Sequence, residues 1–192
     1  HFVIATGSRA RGVEGLIPDG ERVLDSTQML NNTHMPKHLL VVGGGAIGCE
    51  FASMYQAFGA KVTLLENASQ LLPREDVDTA AALQQGLEQR GVQVITGSRV
   101  EEAHSTSDGV TVSLVGQICE TRSYDQVLVA VGRQPNTDTL NLEDAGVFTS
   151  GPFIQVDEHM RTSQPHIFAA GDVIDTMMLA HTAEQESSIV VA

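Results

Sequence analysis

The chain has 192 residues and 11 Lys and Arg against 24 Asp and Glu, a formal net charge of −13. That balance argues against a broad nucleic-acid footprint, which needs a basic face, but leaves room for a single nucleotide held on backbone amides. With 42% hydrophobic residues the chain can bury a sizeable core, and no apolar run reaches the roughly 20 residues of a membrane-spanning helix.

His1 leads directly into the apolar run Phe2–Ala5, with no Met and no lead-in, which reads as a cut through a larger protein. Phe2–Ala5 itself reads as a short buried strand closed by Thr6-Gly7-Ser8. Residues 9–36 are polar and rich in Gly, Asn and Pro, a linker or functional loop with a short helical stretch near Thr27–Leu30. Leu39–Val42 is the next buried strand. A helix follows over Ala46–Phe58, with Ile47, Phe51, Met54, Tyr55 and Phe58 at spacings of three and four. Its packing face is expected to be Ile47, Phe51, Met54 and Phe58. Lys61–Leu65 is a third strand, and a second helix after Pro73 has Glu75, Asp76 and Asp78 in its first turn. Val92–Ile95, an antiparallel meander from about Arg99 to Arg122, and the apolar strand Val127–Val131 come next. Two short strands, Phe153–Val156 and Ile167–Ala170, precede a helical start near Thr182, where Glu184 and Glu186 read as a solvated face. The fold class is α/β, a parallel sheet of the dinucleotide-binding kind with a three-stranded antiparallel meander.

Gly43-Gly44-Gly45-Ala46-Ile47-Gly48 is G-x-G-x-x-G directly after a strand and opening an amphipathic helix. In that setting Gly43 allows the tight turn, Gly45 lets backbone approach a pyrophosphate, and Gly48 permits close helix–strand packing. The amides of Ala46 and Ile47 then face the anion. The next strand ends in Glu66, 23 residues after Gly43, where a carboxylate can accept from both adenosine ribose hydroxyls and repel a 2′-phosphate. No Arg follows until Arg74, so NAD is favoured over NADP. A tight strand-to-helix turn without a ligand is the plain alternative.

Five blocks together resemble the pyridine-nucleotide disulfide oxidoreductases: Phe2–Ser8, the glycine motif with Glu50, Val129–Asn136, Ile167–Asp172 and Met178–His181. The last, followed by Ala183-Glu184, is most similar to the dihydrolipoamide dehydrogenase branch. The resemblance implies an NAD domain inserted into a flavin domain: residues 1–36 the end of the first flavin stretch, 37–135 the NAD domain, 136–192 the second flavin stretch, incomplete. It implies that Thr6, Gly7 and Ser8 approach FAD and that Asp172 bonds its ribityl chain. Met178, Leu179, Ala180 and His181 would run beside the flavin ring, with no role at all the plain alternative for His181. Glu50 would lie at the nicotinamide end of NAD, Val100 on the adenine side and Gly132 near the dinucleotide backbone.

The family's Cys-x-x-x-x-Cys redox pair and its His-Glu acid–base pair do not occur in these 192 residues, so no catalytic residue is assigned. Cys49 reads as a small buried thiol and Cys119 as a strand residue; two such cysteines point to a reducing, cytoplasmic setting. No cluster has metal-ligand spacing. The expected parent is an NAD- and FAD-dependent oxidoreductase carrying electrons from dihydrolipoamide through a disulfide and FAD to NAD. It is expected as a homodimer, in a 2-oxo acid dehydrogenase complex. Mercuric reductase or NADH oxidase chemistry, and an inactive nucleotide-binding module, are the alternatives. The chain alone is expected to lack FAD and activity and to self-associate through unpaired strand edges.

Overall fold

The computed structural model describes residues 1–13 and 15–191, in two compact units: His1–Arg9 with Arg133–Ala192, and Ala10–Gly132. The chain opens with β1 (Phe2–Ile4) and β2 (Ser8–Ala10). It continues through β3 (Val23–Asp25), α1 (Ser26–Leu30), β4 (His38–Val42), α2 (Ala46–Ala57), β5 (Lys61–Leu65), α3 (Val77–Gln89) and β6 (Gln93–Ile95). The meander is β7 (Ser98–Thr106), β8 (Gly109–Gly116) and β9 (Glu120–Tyr124), followed by β10 (Gln126–Val129). Then come β11 (Arg133–Pro135), β12 (Thr149–Ser150), β13 (Phe153–Ile154), β14 (Ile167–Ala169) and α4 (Ala180–Val191).

In the unit Ala10–Gly132, five parallel strands lie in the order β3-β10-β4-β5-β6. Side chains alternate across a strand, and β4 shows the consequence. Leu39 and Val41 enter a core with Phe51, Ala52 and Tyr55 of α2, while Leu40 and Val42 enter a second core with Val110, Val112 and Leu114 of the meander. Helices cover one face and the meander the other, so the sheet strands read as continuous apolar runs. Each fully buried Leu or Val of this kind contributes about 1.5–3 kcal/mol.

Three expectations shift here. Residues 10–36, expected with the first stretch, pack with this unit, because Val23–Asp25 adds to β10 as a parallel edge strand. A capping box then starts α1: Asp25 accepts from the Gln28 amide at 2.8 Å and the Gln28 side chain accepts from the Asp25 amide at 2.9 Å. On α2 the buried face is Gly48, Cys49, Phe51, Ala52 and Tyr55, with Ile47 and Met54 packed at its border. Phe58 is 66% exposed at the C-cap, where its ring lies edge-on to Tyr55. The second helix starts at Val77, with Asp76 as N-cap accepting from the Asp78 amide.

In the other unit β1 pairs in parallel with β14, Phe2 opposite Ile167 and Ile4 opposite Ala169. A small core gathers Leu142, Val147, Ile154, Ala169, Val173 and Ile174. The expected burial of Phe2–Ala5 does not hold: Phe2 is 67% exposed and Val3 is also open, since β1 has one hydrogen-bonded neighbour.

Candidate functional site

The Gly43–Gly48 turn leaves the C-terminal end of β4, the edge of a parallel sheet where open α/β folds bind ligands. Each glycine has a distinct physical reason. Gly43 has φ +108°, and a Cβ there would lie 2.3 Å from the Ala130 carbonyl oxygen; at Gly48 a Cβ would lie 1.8 Å from the Gly43 carbonyl oxygen. These two permit the turn and the close approach of α2. Gly45 is different. A Cβ there meets nothing within 4 Å, so the backbone is open on the side where α2 begins. Gly45 is the N-cap and makes no side-chain cap, and the amides of Ala46 and Ile47 lack intrahelical acceptors, as at any helix start. That is an anion-binding arrangement of an open face and free N–H groups.

Glu66 follows directly on β5 and is half-buried. Its Oε2 accepts from the Gly44 amide at 2.6 Å and its Oε1 from the Ala68 amide at 2.7 Å. An ionised carboxylate has about four lone-pair sites, so each oxygen keeps one for a further donor such as a ribose hydroxyl. The Gly44 carbonyl is held as well, by the Leu72 amide at 2.8 Å and the Cys49 thiol at 3.4 Å. Leu71, fully buried, packs against Gly44, and Leu72 sits at φ +46°, a left-handed conformation uncommon for a non-glycine residue. The segment 67–72 therefore braces the glycine turn from outside. The sequence reading missed this brace, though its Leu-Leu-Pro after the strand-end acid was visible.

The remaining dinucleotide candidates divide. Glu50 is exposed on the first turns of α2, and Gly132, at φ +114°, has open space around it. Val100 is 8% exposed on β7, and its side chain belongs to the core beneath the meander. Cys49 is buried as expected, and burial with Glu66 and Glu50 nearby pushes its thiol up to about 11. Cys119 is exposed in the β8–β9 turn instead of a strand.

In the other unit the residues expected at a flavin come together in part. The Ser8 hydroxyl donates to Asp172, and Arg133 donates from Nε to the Ser8 hydroxyl at 2.6 Å and from Nη2 to the Ser8 carbonyl at 2.7 Å. Arg133 and Asp172 form a half-buried ion pair at 3.7 Å. Thr6 donates to the Asn136 carbonyl, and Gly7, at φ +68°, accepts from the Asn136 amide. Met178 is half-buried, while Leu179, Ala180 and His181 are exposed at the start of α4.

Glu186 corrects the sequence reading. Expected on a solvated face with Glu184, it is 5% exposed and accepts from the Gly171 amide and the Thr176 hydroxyl, both at 2.7 Å. It fastens α4 to the turn that carries Asp172. Its neighbour Glu184 is exposed, as expected. No local signal marks it, because only the fold brings the carboxylate to the Gly-Asp turn.

Among the described residues no group of three or more His, Cys, Asp or Glu side chains can hold a metal ion, and no helix is long and apolar enough to cross a membrane.

Comparison with known proteins places this geometry in a family. A family model described as pyridine nucleotide-disulphide oxidoreductase matches residues 1–187. A dihydrolipoyl dehydrogenase of Bacillus subtilis (strain 168) is 40% identical over 98% of this chain, and one of Thermus scotoductus is 43% identical over 98%. The chain spans 40% and 42% of those two relatives' lengths. Among solved structures, the HOCl-induced flavoprotein disulfide reductase RclA from Escherichia coli, as a Cu(II) complex, superposes with a TM-score of 0.88 at 36% identity. That match covers 98% of this chain and 43% of the other. An engineered water-forming NADPH oxidase bound to NADPH gives a TM-score of 0.84 at 26% identity, with 98% and 44% coverage. With a family match over nearly its whole length and the glycine turn in its expected place, the chain belongs to the pyridine nucleotide-disulphide oxidoreductase family.

Proposed function

We propose that residues 10–132 are the NAD-binding unit of an FAD-dependent oxidoreductase of the dihydrolipoamide dehydrogenase kind. The observation that carries this reading is the Glu66 carboxylate, hydrogen-bonded to Gly44 beside the open backbone of Gly45. The pyrophosphate is assigned to Gly45–Ile47 and the adenosine ribose to Glu66. A negative charge fixed at the ribose disfavours a 2′-phosphate, and residues 67–73 offer no Lys or Arg to offset it. Glu50, Gly132 and the backbone at Val100 complete the assignment.

Thr6, Gly7, Ser8, Asp172 and Met178–His181 are assigned to FAD. The cluster of Ser8, Asp172 and Arg133 suits a polyhydroxyl chain, since Asp172 retains acceptor capacity and Arg133 and Ser8 fix its orientation. When bound, the two cofactors supply the hydride and electron chemistry, while this chain's residues bind and orient them. Passage of two electrons from dihydrolipoamide through a disulfide to NAD, a homodimeric parent and a place in a 2-oxo acid dehydrogenase complex follow from the same reading. A related flavoenzyme with another acceptor is the second reading, favoured by the likeness to the RclA reductase and the NADPH oxidase.

Calorimetric titration with NAD tests the assignment. Glu66→Ala should weaken binding by roughly 1–3 kcal/mol, the range for a lost charge-assisted hydrogen bond. Equal affinity would remove Glu66 from the ribose.

A further inference from the structure

At the opposite end of the same parallel sheet, a cavity of about 400 Å³ is lined by His38, Lys61, Thr63, Gln93, Arg122, Ser123 and Tyr124. His38, Lys61 and Gln93 are the first residues of β4, β5 and β6, whereas the glycine turn follows the last residue of β4. One strand length, roughly 16 Å, separates the two. Dinucleotides bind at the carboxyl ends of such strands, so the cavity is not part of that site.

Its polar groups are unevenly satisfied. Arg122 pairs with Glu120 and donates from Nη1 to Gln93 Oε1 at 2.9 Å, and Asp125 is taken up by the amides of Lys37 and His38 at 2.7 and 2.8 Å. The Lys61 ammonium has no hydrogen bond or ion pair among the described residues, in a chain of net charge −13. Tyr124 is only 7% exposed, and its hydroxyl is buried with no well-formed hydrogen bond among the described residues, the Arg122 guanidinium being its polar neighbour. A buried phenol left unpaired is uncommon and calls for a partner. Glu120 pairs with Arg122 and one oxygen of Asp125 takes both amides, so the charge left without a counter-ion here among the described residues is the Lys61 ammonium.

We propose that this cavity binds a small oxyanion carrying two negative charges, inorganic phosphate or a short dicarboxylate, through Lys61, Arg122, His38 and the Tyr124 hydroxyl. Lys61 supplies the uncompensated charge, and Tyr124, in the cavity wall, a buried hydroxyl whose proton has no acceptor of good geometry among the described residues. Thr63, Ser123 and Gln93 border the same space and fix its size.

The test is amide-resolved NMR titration of the 192-residue chain with phosphate and, separately, malonate, each at an ionic strength held constant with sodium chloride. Saturable shifts centred on residues 61, 63 and 122–124 are expected with at least one of the two, and the tighter binder identifies the class. Lys61→Gln, which removes an unpartnered surface ammonium, should weaken that binding about tenfold. Tyr124→Phe should weaken it as well, while changing the thermal midpoint of the anion-free protein little, because the hydroxyl makes no well-formed hydrogen bond there. NAD affinity stays as it was in both variants. Absence of saturable shifts with either anion, or variants that bind like the unmodified chain, would overturn the proposal.

Discussion

The two units hold their functional candidates in different ways. In the unit Ala10–Gly132, the glycine turn is fixed by local backbone: one peptide, at Gly44, is bonded through its N–H to Glu66 and through its carbonyl to Leu72 and Cys49. Two cores lie beneath it. In the unit containing the termini, Ser8 meets Asp172 across 164 positions and Gly171 meets Glu186 through a buried carboxylate. Only one small core supports those contacts, and Phe2 and Val3 stay exposed. Where the backbone makes the candidate site, a spacing in the sequence is enough to locate the turn. Where distant side chains make it, the fold has to bring them together.

If that contrast is right, the most damaging single change lies in the glycine turn. Gly48→Ala puts a Cβ 1.8 Å from the Gly43 carbonyl oxygen, a clash with backbone that neither partner can relieve by rotation. Urea unfolding should show a loss of about 3 kcal/mol or more, and NAD binding should disappear with the turn. In the other unit Glu186→Ala leaves the Gly171 amide and the Thr176 hydroxyl without their acceptor. We expect a loss of roughly 1–3 kcal/mol and faster hydrogen exchange at Gly171, with the residues of the unit Ala10–Gly132 unaffected.

Gly45→Ala sharpens the comparison from the opposite side. Its Cβ meets nothing in the free protein, so stability should change by less than about 0.5 kcal/mol. NAD affinity should nevertheless fall at least tenfold, since the methyl group occupies the face assigned to the pyrophosphate. A variant that keeps full affinity would move the pyrophosphate off Gly45.

The smallest effect concerns Cys49. Its thiol is raised from 9.0 to about 11 by burial, with Glu66 and Glu50 adding to the rise. The unfolded thiol ionises first, so Cys49 contributes stability that is complete below pH 9 and is lost as pH climbs toward 11. Cys49→Ala should flatten that part of the stability profile by up to about 2 kcal/mol. At pH 7.5 a thiol reagent should label Cys119, which is exposed, and spare Cys49.

Sequence legibility followed the same division. The strands β4, β5 and β10 and the helix α2 were readable because continuous apolar runs and a three-and-four spacing are local signals. Gly43, Gly45, Gly48 and Glu66 were readable because their spacing is short and each has its own geometric reason. The strand Val23–Asp25 was hidden, since its three residues show no periodicity and its partner β10 lies about a hundred positions away. Phe58 continued the helical spacing but fell at the C-cap, where the chain turns away from the sheet. Glu186 looked like any helix-surface acid, because nothing local distinguishes a solvated carboxylate from one that accepts a distant amide.

The most direct measurement is the ratio of NAD to NADP affinity in the unmodified chain and in Glu66→Ala, both by calorimetry. Glu66 also holds the Gly44 amide, so a loosened turn alone would weaken both cofactors equally and leave the ratio unchanged. A carboxylate on the ribose predicts that the unmodified chain prefers NAD, and that the variant loses NAD affinity while the ratio falls by roughly tenfold or more. An unmodified chain that binds NADP as tightly as NAD, or a ratio that does not move in the variant, would contradict the account.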